Sequence, residues 1–219
     1  MIPARTAALP IFPLVSTALP GDRLPLQVFE ARFRDLLHDC MKAPDGPWFG
    51  AVLIARGSEV GGGDERTDVG VRTHIDRQVA VGPRLFHLRC TAGARFRVRD
   101  WLDDDPYPRA EIEPWPDSPV DAAAVRRAAA ELTGEITALH GLLARVAERQ
   151  ARPAPPRPRF DDLPADPGDL IYDLARRVGI GAADRFKLLC APDPLTRAQV
   201  LAEAVDTAQD VARFHLLDH

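Results

Sequence analysis

The sequence predicts an α+β fold. A strand-rich first part, residues 1–117, reads as a barrel or sandwich with one inserted helix, and an α-helical bundle follows over residues 118–219. Three observations predict this. Short apolar stretches, many alternating with polar residues and parted by Gly and Pro turns, fill the first part. One stretch within it, Glu30 to Met41, repeats its apolar residues at helical spacing instead. After Trp115-Pro116 the helical period takes over for the rest of the chain.

The first strand is Leu9–Leu14, an apolar run held between prolines. Pro20-Gly21-Asp22 marks a turn. Leu24, Leu26 and Val28 then alternate as a half-buried strand does. In the helix that follows, Phe33, Leu36, Leu37, Cys40 and Met41 share one face, and Arg32, Arg34, Asp35 and Asp39 take the other. Phe49–Ala55 is a continuous apolar run, as in a central strand. Gly82-Pro83 separates strands Val69–Val81 and Arg84–Cys90 as a hairpin. A further turn is expected at Ala92-Gly93, before Phe96 and Val98 resume the alternation.

In the second part Val125, Ala129, Leu132, Ile136, Leu139, Leu143 and Val146 form one stripe. A long helix from Pro119 to Gln150 follows, with Ser118 as its N-cap. The proline-rich stretch over 151–169 is excluded from helix and reads as an extended, mobile connection. Asp166-Pro167 opens a helix that buries Leu170, Ile171, Leu174 and Val178 and ends at Gly179. Ala182–Cys190 is a shorter helix. Thr196-x-x-Gln199 has the pattern of a capping box, opening a last helix with Leu201, Val205, Ala208 and Val211 inward.

Composition narrows the function. Hydrophobic residues are 46% and charged residues 27% of the 219, as a globular domain with a core requires. The net charge is -4, and the acidic excess is shared by both parts. That disfavours nucleic acid, whose phosphates need a concentrated cationic surface. Cys40, Cys90 and Cys190 lie far apart without metal-ligand or redox spacing, and read as buried thiols in a reducing compartment. Neither a signal segment nor a membrane-spanning run is apparent, so a cytoplasmic location away from membranes is expected.

Leu9-Pro10-Ile11-Phe12-Pro13-Leu14, then Leu19-Pro20-Gly21, then Leu24-Pro25-Leu26-Gln27-Val28-Phe29-Glu30-Ala31-Arg32-Phe33, resembles the opening signature of LON N-terminal (substrate-binding) domains. Val69-Gly70, Gly93-Ala94-Arg95-Phe96-Arg97-Val98, and Pro106-Tyr107 followed by Ala110-Glu111 resemble later stretches of that family. Phe33 stands where the family usually has Tyr, and Asp184–Cys190 replaces its usual K-Q-x-L-L-E run. The resemblance implies a PUA-like pseudo-β-barrel with an inserted helix, followed by an α-helical subdomain. It also implies a free-standing substrate-recognition module without the Lon ATPase and protease parts. The signature residues Pro13, Pro20, Gly21, Phe29, Glu30, Arg32, Phe33, Gly70, Arg95, Phe96 and Tyr107 read first as fold-maintaining. Phe29, Phe33 and Phe96 are expected in the core. Glu30 is expected in the helix's first turn, with Arg32, Arg95 or Arg97 as its ion partner.

The sequence contains neither a Walker A loop nor a Ser-x-Gly elbow, and its histidines have no zinc-site spacing. Gly61-Gly62-Gly63-Asp64 reads as a flexible hairpin loop, and Asp103-Asp104-Asp105 as a solvated one. No catalytic residue, metal or cofactor is expected. The residues and the resemblance favour a non-catalytic module that binds unfolded or tagged polypeptides, or acts as an adaptor for a protease or chaperone partner. Trp48, Trp101 and Trp115, at strand or loop ends, are candidate peptide anchors. RNA binding is the alternative, by analogy with other PUA-like barrels. Arg84, Arg89, Arg95, Arg97 and Arg99 would be its patch.

Overall fold

The computed structural model describes residues 8–57 and 63–217. The chain divides into two compact units, 1–116 and 117–219.

The first unit is a mixed six-stranded sheet that curls into a near-barrel. Its strands are β1 (Ala8–Leu14), β2 (Arg23–Val28), β3 (Trp48–Arg56), β4 (Glu65–Ala80), β5 (Phe86–Leu102) and β6 (Arg109–Pro114). The order is β2-β5-β4-β3-β1-β6, and β6 pairs again with β5 to close the ring. Among the described residues only β1 and β3 run parallel, with Ile11 opposite Gly50 and Leu14 opposite Leu53. Ile11, Val52, Phe96 and Ala110 form an inner core, with Leu9, Val98, Trp101 and Ile112 packed on it.

Helix α1 (Ala31–Lys42) buries Phe33, Leu36, Leu37 and Cys40. Its Phe33 ring stacks on Phe12 of β1 at 4.4 Å, and Phe12 reaches Phe49 of β3 at 5.9 Å. Met41 departs from the expected face and is half exposed. Glu30 occupies the N-cap position, one residue before the expected first turn, and makes no capping bond with its side chain.

Two turns behave differently from one another. At Pro20-Gly21 the Asp22 N–H donates to the Leu19 carbonyl at 3.0 Å, and Gly21 has φ 86°. That is a type II turn, which needs glycine at its third position. The Asp22 carboxylate accepts from the Leu19 N–H at 2.8 Å and fastens the turn from the other side. By contrast, Ala92-Gly93 forms no turn. Both lie inside the unbroken 17-residue strand β5. Glycine instead sits at a register shift between β4 and β5, where a Cβ would approach the Arg72 carbonyl oxygen to a tight 3.1 Å. Gly61 and Gly62 of the expected glycine loop lie outside the described residues.

The second unit holds α2 (Ala122–Arg149), α3 (Pro167–Arg176), α4 (Ala182–Cys190) and α5 (Pro194–Leu217). The α2 stripe buries Val125, Ala129, Leu132, Ile136 and Leu139, while Leu143 and Val146 are only half buried. Asp121, not Ser118, caps α2 by accepting from the Ala123 N–H at 2.9 Å. Ser118 instead donates its N–H to the Pro192 carbonyl. Asp193, not Thr196, caps α5, accepting from the Thr196 N–H at 2.9 Å and its hydroxyl at 2.8 Å. A carboxylate with two acceptor oxygens outcompetes the shorter Thr hydroxyl for this role. On α5 the buried face runs through Leu201, Val205, Gln209 and Ala212, which leaves Ala208 half buried and Val211 exposed. The Gln209 side-chain amide donates to the Glu135 carbonyl of α2, so a polar residue replaces the expected apolar one.

The proline-rich connection ends earlier than expected, because Pro167 through Asp169 already belong to α3. It is extended, and Asp162 ties it to Arg177 at 2.9 Å with Phe160 beneath the same guanidinium.

Candidate functional site

The ring of the first unit has a seam. Strand β5 uses one edge for β4 and divides its other edge between β2 (Arg23 to Val28) and β6 (Phe96 to Leu102 of β5). Strand β1 pairs with β6 only through Ala8 to Pro10. The later half of β1 and the free edge of β2 are therefore joined by no ladder.

A groove of about 410 Å³ occupies this region. Phe12, Leu14 and Ser16 line it from β1 and beyond, Leu24 to Gln27 from β2, and Phe29, Glu30 and Phe33 from the start of α1. Its lining mixes apolar side chains with polar surface, to which Ser16, Gln27 and Glu30 contribute. Phe29 is half exposed, which corrects its expected place in the core. Phe33 is buried at its base. Glu30 is held by the Arg32 guanidinium at 3.2 Å. Of the three arginines expected to serve it, the ion pair is made by Arg32.

Prolines set the chemistry of the seam. The Ile11 N–H donates to the Pro108 carbonyl on the β6 side, so two residues later the nitrogen of Pro13 faces the same way, without a hydrogen to donate. Pro25 sits opposite Arg89 in β2 and cannot make the hydrogen-bonded kind of pair, so its nitrogen faces the free edge. Each bordering strand thus lacks a donor where an added strand would need one. The groove suits apolar side chains better than a paired backbone.

The other signature residues hold the barrel. A Cβ on Gly70 would collide with the Ala51 carbonyl oxygen and stand 2.8 Å from both the Phe96 ring and Val52. Phe96 needs that space, as it is 1% exposed. The Tyr107 hydroxyl donates to Asp39 of α1 at 2.6 Å. Burial and that bond push the Tyr107 hydroxyl well above its ordinary pKa.

A family model described as the ATP-dependent protease La (LON) substrate-binding domain matches residues 8–207. The chain belongs to this family. A Lon N-terminal domain protein from Xanthomonas campestris is similar in structure, with TM-score 0.55 and 27% identity over 90% of this chain and 98% of that one. The N-terminal domain of Mycobacterium avium complex Lon protease has the same fold, with TM-score 0.57 and 17% identity over 91% and 98%. No curated protein matches the sequence.

Within this Lon substrate-binding domain the three tryptophans do not meet, and none lines the groove. Each is half buried with arginine over its ring. Arg72 lies 4.5 Å from Trp48, Arg66 5.2 Å from Trp101, and Arg95 and Arg97 4.4 and 3.7 Å from Trp115. Trp101 also donates to Asp68 at 2.9 Å. The arginine patch expected for RNA is divided by these contacts. Arg95 is buried against Trp115, and Arg99 faces Glu113 at 3.5 Å. Asp104, expected to be solvated, is clamped by Arg66.

Among the described residues no His, Cys, Asp or Glu group could hold a metal ion, and no helix is long and apolar enough to cross a membrane. The groove's own residues, Phe12, Leu14, Leu24 and Leu26, escaped the sequence reading as a site. The signal available was a pair of proline-broken strands that precede Phe29.

Proposed function

We propose that this Lon substrate-binding domain is a non-catalytic polypeptide-recognition module, which takes extended apolar segments into the groove between β1, β2 and the start of α1. The open seam carries the reading. It offers about 410 Å³ lined by Phe12, Leu14, Leu24, Leu26 and Phe29, with Ser16, Gln27 and Glu30 as polar groups, to a chain that a folded protein would keep buried. The family's substrate-binding description supports it. Phe29 is the anchor, since covering its exposed half contributes on the order of 1 kcal/mol. The groove residues supply no nucleophile paired with a base, and the proposed role is delivery of clients to a protease or chaperone partner.

The test is binding of one model protein in native and permanently unfolded forms, with nuclease treatment in parallel. Binding of the unfolded form alone, unchanged by nuclease, is the expected result. Equal binding of both forms, or loss of binding on nuclease treatment, would overturn the reading.

A further inference from the structure

The outer face of β2, β5 and β4 carries a charge arrangement that the fold itself does not use. Arg77 of β4 and Arg89 of β5 are register partners, and both are exposed. Like charges directly opposite in a sheet are destabilising. Neither is paired with a carboxylate among the described residues. Arg72 lies further back on the same strand over Trp48, and exposed Arg84 is in the turn that joins β4 to β5. Asp76 is the acidic residue of this stretch, and it is already engaged by Arg23 at 3.2 Å, by His74 at 2.9 Å, and by Thr91. Among the described residues, these four guanidinium groups therefore have no carboxylate partner, on a chain whose net charge is negative.

We propose that this face docks an acidic segment of a partner polypeptide. Charge complementarity identifies the partner: carboxylates along an extended chain recur on one side about every 7 Å, and would meet guanidinium groups set on neighbouring strands. Polypeptide fits better than nucleic acid. The cations are interleaved with Val79 and Pro25, and the nearby aromatic ring, Trp48, is covered by Arg72 and edged by His74, which leaves no open platform for a base. The face is separate from the reading of the groove and stands without it.

The experiment is fluorescence anisotropy with three labelled probes: a peptide of alternating Glu and Ala, its Lys-Ala counterpart, and a single-stranded oligoribonucleotide. The protein is wild type, the double variant Arg77→Gln/Arg89→Gln, or a control with the same charge change on α2, Arg126→Gln/Arg145→Gln. The Glu-Ala peptide is expected to bind, more weakly as salt rises from about 50 to 200 mM. The Arg77/Arg89 variant should lose roughly tenfold in affinity while the control loses none. Its thermal midpoint should not fall, because the substitution removes a repulsion, so lost binding would not reflect unfolding. Absence of Glu-Ala binding, equal binding by wild type and the Arg77/Arg89 variant, or tighter binding of the oligoribonucleotide through the same arginines would overturn the proposal.

Discussion

Arg197 of α5 is wholly buried and grips Asp117 with both ends of its guanidinium, at 2.5 and 3.2 Å. The same group donates to the Gly168 carbonyl at 3.1 Å and lies 3.7 Å from the Tyr172 ring. One side chain thus fastens the start of the helical unit to α3 and α5. The two partners are not equivalent, because Asp117 remains about a quarter exposed. Asp117→Ala would strand a buried cation, whereas Arg197→Met would leave a carboxylate that water can reach. Asp117→Ala is expected to cost about 3 kcal/mol, and Arg197→Met less. Denaturant midpoints of the two variants check the order. A larger loss for Arg197→Met would show that packing on Tyr172 outweighs the ion pair.

Gly70→Ala should be among the most damaging single-methyl additions. The new Cβ meets the Ala51 backbone oxygen as well as the Phe96 ring, and backbone cannot rotate aside as a side chain can. A loss of about 3 kcal/mol is expected. Gly134→Ala, on α2 with nothing within 4 Å of its added Cβ, should instead stabilise by up to about 1 kcal/mol. Thermal unfolding of the pair decides it.

The thiols report the first unit's integrity. Burial pushes Cys40 up to about 12, with the Asp39 charge adding to it, and burial raises Cys90 to about 12 as well. Both are 1% exposed. Neither should react with iodoacetamide at pH 8 until the unit unfolds. Mass spectrometry of the alkylated protein, with and without denaturant, measures this. Native-state labelling of Cys40 would mean that α1 opens from the barrel.

Asp193→Ala should destabilise α5 by about 1 kcal/mol, through the lost cap. Burial alone would raise the Asp193 pKa, but its bonds from Thr196 and the nearby Arg197 charge leave it lowered. A lowered carboxylate stabilises the fold above its unfolded pKa, and the contribution disappears as pH falls through the folded value. The difference between wild type and Asp193→Ala should therefore be full at neutral pH and shrink below about pH 4. A difference that stays constant to low pH would exclude the carboxylate as the source.

Much of the fold was legible because periodicity reports burial directly. The helices at Ala182–Cys190 and Asp166-Pro167, and the run Phe49–Ala55, declare themselves by spacing and punctuation alone. Caps were less legible. Ser118 and Asp121, like Asp193 and Thr196, are all chemically able, and tertiary geometry chooses between them. Gly93 misled for a related reason: glycine marks a turn in one place and a close backbone approach in another. The groove was hidden for a deeper reason. It exists because β1 and β2, whose prolines face each other's edges, fail to pair across a closed ring, and pairing partners are a property of topology. Phe29 shows the consequence, as its aromatic character suggested core while its position at the seam leaves it half exposed.

The most direct test of that seam is the affinity of an unfolded model protein for Phe29→Ser, beside Phe214→Ser as a control. Both residues are exposed, at 50% and 58%, and Phe214, on α5, is not among the residues that line the groove. If the groove recognises apolar segments, Phe29→Ser loses affinity about fivefold, near 1 kcal/mol, while Phe214→Ser binds as wild type does. Unchanged binding by Phe29→Ser, or an equal loss in the control, would contradict the account.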